Sequence, residues 1–167
     1  MEKKVLSEIS LYYGQVEMPK GFEIDQKKLQ TDILKAQVQN IKFLFSRTWD
    51  MLNTYMREHI NLEYGFRLAN KETWGNIYKP QEISIPLLNI DPVDLKNSPD
   101  YTLLYGVKVK DCSVRIHYDD NKRAGRSWDI PLTNNQFIMF PSTNMYYITN
   151  NQKDSLNFIH TITYEFV

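Results

Sequence analysis

His117-Tyr118-Asp119 sets an imidazole and a carboxylate two residues apart, the spacing that turns both to one face of an extended strand. With His160 as a second imidazole, the chain would offer two nitrogens and a carboxylate, a set suited to ferrous iron with coordination positions left open. A plainer reading competes. His160 alternates with Phe158, Ile162 and Tyr164, which places it among core side chains, and Asp119 then serves to cap a turn at a solvated strand end. The remaining histidine, His59, falls on a predicted helix beside Ile60. Three histidines in such positions do not give zinc-ligand spacing.

Other reactive groups read blandly. Cys112 is the sole cysteine, so no intrachain disulfide exists, and its strand position suits a small partly buried residue. Glu58 and Glu63 lie on a helix surface without a paired geometry. Ser142 follows a proline at a strand end with no evident base. No phosphate-binding glycine loop and no nucleophile elbow is present. We assign no catalytic residue from these motifs. Asp119, Asp120, Lys122, Arg123 and Arg126 form the densest charge cluster, with Trp128 expected to pin that hairpin tip to the sheet. Charges there cancel, as at a solvated hairpin tip, although the same cluster would suit a partner contact.

The chain has 167 residues, with 20 basic and 20 acidic side chains, so bulk charge points to no nucleic acid. No leader-like apolar run follows Met1 and no segment approaches a membrane span, so a soluble, unsecreted protein is expected. Tyrosine is abundant at 11 residues, and paired tyrosines such as Tyr12-Tyr13 and Tyr146-Tyr147 place one ring inside a sheet and one outside. The outward ring is a rigid interface anchor.

The elements that must position these groups fall into two blocks. Residues 9–14 read as a first strand. Asp25 caps an amphipathic helix over 26–37, and Ser46 or Thr48 caps a second that fades near 62–65. The stretch 41–45 reads as a first turn or a buried extended segment. Residues 74–80 read as loop or a short strand, 83–88 alternate briefly, and 89–100 form an irregular connection. Strands follow at 101–109, 113–118, 127–132, 136–140, 145–148 and 157–166, with Asn134-Asn135 and Asn150-Asn151 suited to turns of positive φ. Helices followed by short antiparallel strands predict one α+β domain, two N-terminal helices packed on a jelly-roll or double-stranded β-helix core beginning near residue 80.

The segments Tyr101–Val109, Asp119–Arg126, Asn135–Ser142 with its Phe140-Pro141-Ser142, and Thr161–Phe166 together resemble the iron(II)/2-oxoglutarate oxygenases of double-stranded β-helix fold. Within them the chain looks most similar to small oxygenase-like proteins of marine tailed phages. That family carries a His-x-Asp pair after the helical layer, a second histidine a few residues beyond Phe-Pro-Ser, and an arginine in the closing strand for the co-substrate carboxylate. Here the first pair falls on Asn89-Ile90-Asp91, the second histidine on Tyr146 or Tyr147, and the closing strand has neither arginine nor lysine. The resemblance thus implies the fold with degenerate metal positions Asn89, Asp91 and Tyr146.

Three functions remain from this reading. The first is a non-catalytic, cofactor-free structural or interaction module, cytoplasmic or virion-associated. It would bind a protein partner or itself through Tyr146, Tyr147, Asp119, Asp120, Arg123, Arg126 and Trp128. The second is an Fe(II)/2-oxoglutarate-dependent hydroxylase using His117, Asp119 and His160. The third is a cupin-like small-ligand pocket lined by Tyr105, Trp128 and Tyr146.

Overall fold

The computed structural model describes residues 1–167 except Phe22, Phe43, Leu44, Lys122 and Arg123; the side chains of Asp119, Asp120, Asn121 and Ala124 also fall outside the description. The expectation for 41–45 therefore lies partly outside the described residues. Among those described, the order is β1 (Tyr12–Gln15), α1 (Gln26–Val38), α2 (Arg47–Tyr64), β2 (Leu68–Tyr78), β3 (Tyr101–Lys108), β4 (Cys112–Asn121), β5 (Ala124–Leu132), β6 (Gln136–Pro141), β7 (Tyr146–Asn150) and β8 (Asn157–Phe166). This is the α+β arrangement of a double-stranded β-helix.

Local chemistry explains the helix ends. Asp25 Oδ1 accepts from the Lys28 amide at 2.9 Å, and Ser46 Oγ accepts from the Trp49 amide at 3.2 Å. Gly65, at φ 69°, closes α2 in the left-handed conformation that glycine adopts without strain.

Two antiparallel sheets face each other, a larger one ordered β1-β6-β3-β8-β2 and a smaller one ordered β5-β4-β7. The stretch 82–87 lies beside β7, with bridges Ile83–Thr149 and Leu87–Tyr146. Pro86 within it has no amide to donate, which keeps that pairing to isolated bridges. The larger sheet buries both faces. One carries Leu103, Tyr105, Phe137, Ile162 and Tyr164 against Leu29 and Ile33 of α1 and Trp49, Leu52 and Met56 of α2. The other carries Leu104, Ile138, Phe140 and Ile159 against Val114, Ile116, Tyr146 and Ile148 of the smaller sheet. This double burial is why the strands read as nearly continuous apolar runs.

The 74–80 segment was expected to be a loop or short strand. It is instead the end of an eleven-residue strand, and the sheet core starts at Leu68 rather than near residue 80. The polar run Asn70-Lys71-Glu72 hides that strand because β2 is an edge, paired among the described residues to β8 alone and half-exposed. At the second turn the positive φ falls elsewhere as well. Asn135 has φ 59°, as its position suggests, whereas neither Asn150 nor Asn151 is left-handed. Asn150 works through its side chain, which is fully buried and donates to the Tyr78 and Ser155 carbonyls at 3.0 and 2.9 Å.

Gly75 on β2 marks where α1 rests on the sheet: a Cβ there would stand 2.5 Å from Ile33 Cγ1. Gly106 is tighter, because a Cβ would meet the Thr133 carbonyl oxygen. Gly75→Ala should destabilise the fold by about 1–3 kcal/mol through overpacking, read by urea denaturation. In a cycle with Ile33→Ala, which removes Cγ1, the losses of the two single variants should be less than additive in the double variant if the clash is the cause.

Candidate functional site

Buried polar side chains gather between the sheets. Asn89 follows the 82–87 stretch, and its Nδ2 donates to the Tyr146 hydroxyl at 3.0 Å and to Thr102 Oγ1 at 3.1 Å. Thr102 Oγ1 lies 2.8 Å from Ser142 Oγ. Thr102, Ser142 and Tyr146 are all buried. Tyr146 stands on β7 of the smaller sheet and Thr102 on β3 of the larger, so one amide group bridges the two layers. The Phe140 ring meets the Tyr146 ring edge-on at 5.0 Å. Burial pushes the Tyr146 phenol up to about 12, partly offset by the bond from Asn89, so it stays protonated at neutral pH.

Leu87 completes this corner. Its amide donates to the Tyr146 carbonyl at 2.9 Å, the Tyr146 amide donates back at 3.0 Å, and its side chain packs on the inter-sheet core. Leu87 and Asn89, one residue apart, thus both meet residue 146. Of the two residues expected as a pair, Asn89 and Asp91, Asn89 reaches Tyr146. Asp91 is exposed, and its Oδ1 accepts from the Val93 amide at 2.9 Å to close a surface turn. Tyr146 faces the inter-sheet core, while Tyr147 turns to the opposite face beside His117 at 5.2 Å.

These side chains do not fit a ferrous ion. They offer an aliphatic group, a neutral amide and a protonated phenol where the chemistry asks for two imidazoles and a carboxylate. Among the described residues, no three His, Cys, Asp or Glu side chains converge. Buried Asn157 opens β8, and its Oδ1 accepts from the Lys110 amide at 2.9 Å and from Gln152 Nε2 at 2.6 Å, tying down the β3–β4 turn.

The other ligand set is not brought together. His117 lies on the outer face of the smaller sheet, since Ile116 beside it points to the core. His160 lies on the helix-facing side of the larger sheet, its ring 3.6 Å from that of Trp49 of α2. Both sheets stand between them. His160 is fully buried, and its Nε2 sits 2.9 Å from Asn53 Oδ1 and 2.7 Å from Thr73 Oγ1. An amide oxygen only accepts, so Nε2 carries the proton. Burial holds this imidazole well below its ordinary range, against a smaller opposing effect of a backbone hydrogen bond at Trp74. The Asp119 side chain lies outside the description.

The expected interaction residues separate similarly. Tyr146 is 3% exposed and cannot anchor a partner, so that assignment is corrected. The Asp119, Asp120 and Arg123 assignments fall on side chains outside the described set, and Arg126 is exposed. Trp128 does not pin the hairpin; its indole is 60% exposed, beside a cleft between β1 and the β4–β5 hairpin. The cupin-like pocket of Tyr105, Trp128 and Tyr146 does not form. Tyr105 faces the helices and accepts from Gln26 at 2.9 Å, Tyr146 lies between the sheets, and Trp128 is outside. Thr102 was missed as a partner of Asn89, and Ser142 as the partner of Thr102. Their signal was a hydroxyl at each of two apolar strand ends, a pattern that has many other causes.

No protein-family model matches the chain, and no curated protein matches it in sequence. Solved structures do match in shape. A prolyl-4-hydroxylase of Pseudomonas putida aligns with TM-score 0.64 at 12% identity, over 94% of this chain and 92% of that one. The viral collagen prolyl hydroxylase vCPH of Paramecium Bursaria Chlorella virus-1 gives 0.64 at 14%, over 93% and 96%. AviO1 of Streptomyces viridochromogenes Tue57 gives 0.64 at 10%, over 94% and 90%. The architecture is therefore that of the 2-oxoglutarate/Fe(II) oxygenases. At these identities the likeness speaks for the fold alone.

Two measurements check this geometry. In a double-mutant cycle of Asn89→Ala and Tyr146→Phe, the coupling should be about 0.5–1.5 kcal/mol, and near-zero coupling would remove the bridge. Because the His160 pKa is lowered in the folded state, its contribution to stability is complete above the unfolded value of about 6.5 and declines as pH falls below it. The midpoint of thermal unfolding should therefore fall between pH 7 and 5, and His160→Gln should flatten that slope.

Proposed function

We propose that this chain is an oxygenase-fold protein that works by binding and not by iron chemistry, as a structural or interaction module. One observation carries the reading: at the two positions flanking residue 88 and at residue 146, the side chains are Leu87, Asn89 and Tyr146, already satisfied by packing and by one another. Asn157 at the start of β8 is likewise committed to the β3–β4 turn, and β8 carries neither arginine nor lysine. The resemblance to small phage proteins points the module toward assembly with a protein partner or with itself. No helix among the described residues is long and apolar enough to cross a membrane.

A second reading, an Fe(II)/2-oxoglutarate-dependent hydroxylase with an atypical site, is favoured by the nearly full-length match to proteins described as prolyl hydroxylases. One experiment separates the two. Under anaerobic conditions, iron(II) or manganese(II) at millimolar concentration, followed by 2-oxoglutarate, should leave the unfolding midpoint unchanged. Binding to the folded state at a hundred times the dissociation constant would add about 2.7 kcal/mol. A saturable rise with metal, enhanced by 2-oxoglutarate, would establish the hydroxylase reading and sink the module.

A further inference from the structure

The two sheets part at one edge. β1 ends the larger sheet and β5 ends the smaller, and among the described residues each bonds to a single neighbour, β6 and β4 respectively. Between them opens a cleft of about 350 Å³. Tyr13 and Trp128, at 59% and 60% exposed, stand on its walls, with Ile116, Tyr118 and Phe140 among the residues that line it. Two large rings exposed across one hollow differ from singly scattered surface apolar residues.

Two observations define what would fill it. Among the described residues none that lines it is charged, so a charged group entering would lose its hydration without an ionic partner among them. The lining also includes Asn144, 8% exposed. Its Nδ2 donates to the His117 carbonyl at 2.9 Å, whereas its Oδ1 is buried without a partner. An unmet buried acceptor is costly and is relieved by an incoming donor. The lining therefore matches, in polarity, a neutral ring that brings one N–H.

We propose that this cleft binds a donor-bearing, uncharged aromatic side chain of the indole type, presented by an extended segment of a partner polypeptide. The free edges of β1 and β5 lie on either side to take up such a segment's backbone. The inference rests on the reading of the chain as a binding module, and it names the surface and the partner's chemistry.

The test is a titration of the full chain, followed by amide NMR shifts, with N-acetyl-tryptophanamide and with its indole N-methyl analogue. Saturable shifts should centre on Tyr13, Ile116, Trp128 and Asn144. The N–H probe should bind about threefold to tenfold tighter than the methylated one, the worth of one hydrogen bond. Trp128→Ala, at an exposed position, should weaken both probes together. Asn144→Ala, with its fold checked by the NMR spectrum, should abolish the preference between them. Shifts elsewhere, equal affinity of the two probes for the native chain, or no binding up to the solubility limit would overturn the assignment. Failure with no response to metal would remove the cleft alone. Ring binding together with a metal response would remove the module reading alone.

Discussion

The inter-sheet corner depends on the two N–H bonds of the Asn89 side chain. One reaches the phenol of the smaller sheet and the other a threonine hydroxyl of the larger, at 3.0 and 3.1 Å. Each bond adds only about 1 kcal/mol net, but an unpaired amide or hydroxyl buried there would cost more than the bond returns. The four side chains Asn89, Thr102, Tyr146 and Ser142 therefore hold as a set. The four lie where the two sheets meet. Here neutral hydrogen bonds close the corner, and the phenol, raised by burial, has no tendency to ionise and become a ligand.

The larger sheet sits between two apolar layers, and period-two alternation decides which layer each side chain enters. Along β8, Phe158, His160, Ile162 and Tyr164 go to the helices, while Ile159 goes to the smaller sheet. This separates His160 from any inter-sheet chemistry and gives it to Trp49, Asn53 and Thr73. The larger sheet is also the wider of the two, with five strands against three among the described residues. Its β1 edge and the β5 edge leave the cleft beside Trp128 open. The same asymmetry that completes the helix-facing core thus supplies the surface where a partner would bind.

The fold was largely legible. Helix caps at Asp25 and Ser46 and the run of short antiparallel-looking strands after residue 100 predicted the layers. β2 was illegible because edge exposure fills it with polar residues, and its Gly75 reads as a breaker although it answers to Ile33 across the helix–sheet contact. The site was half legible. The resemblance singled out Asn89, Asp91 and Tyr146, and of these the structure joins Asn89 to Tyr146. The reciprocal backbone pairing of Leu87 with Tyr146 beside them had no signal in the sequence. A literal His-x-Asp at His117 misled in the opposite way. Spacing gives a shared face of a strand but not which face is turned to the core.

The central claim, that hydrogen bonds among Asn89, Tyr146, Thr102 and Ser142 close the inter-sheet corner without a metal ion, is tested most directly by the metal content of protein purified without chelators. The account predicts iron, manganese and zinc far below one per chain. Stoichiometric iron, lost on replacing His117, His160, Asn89 or Tyr146, would contradict it.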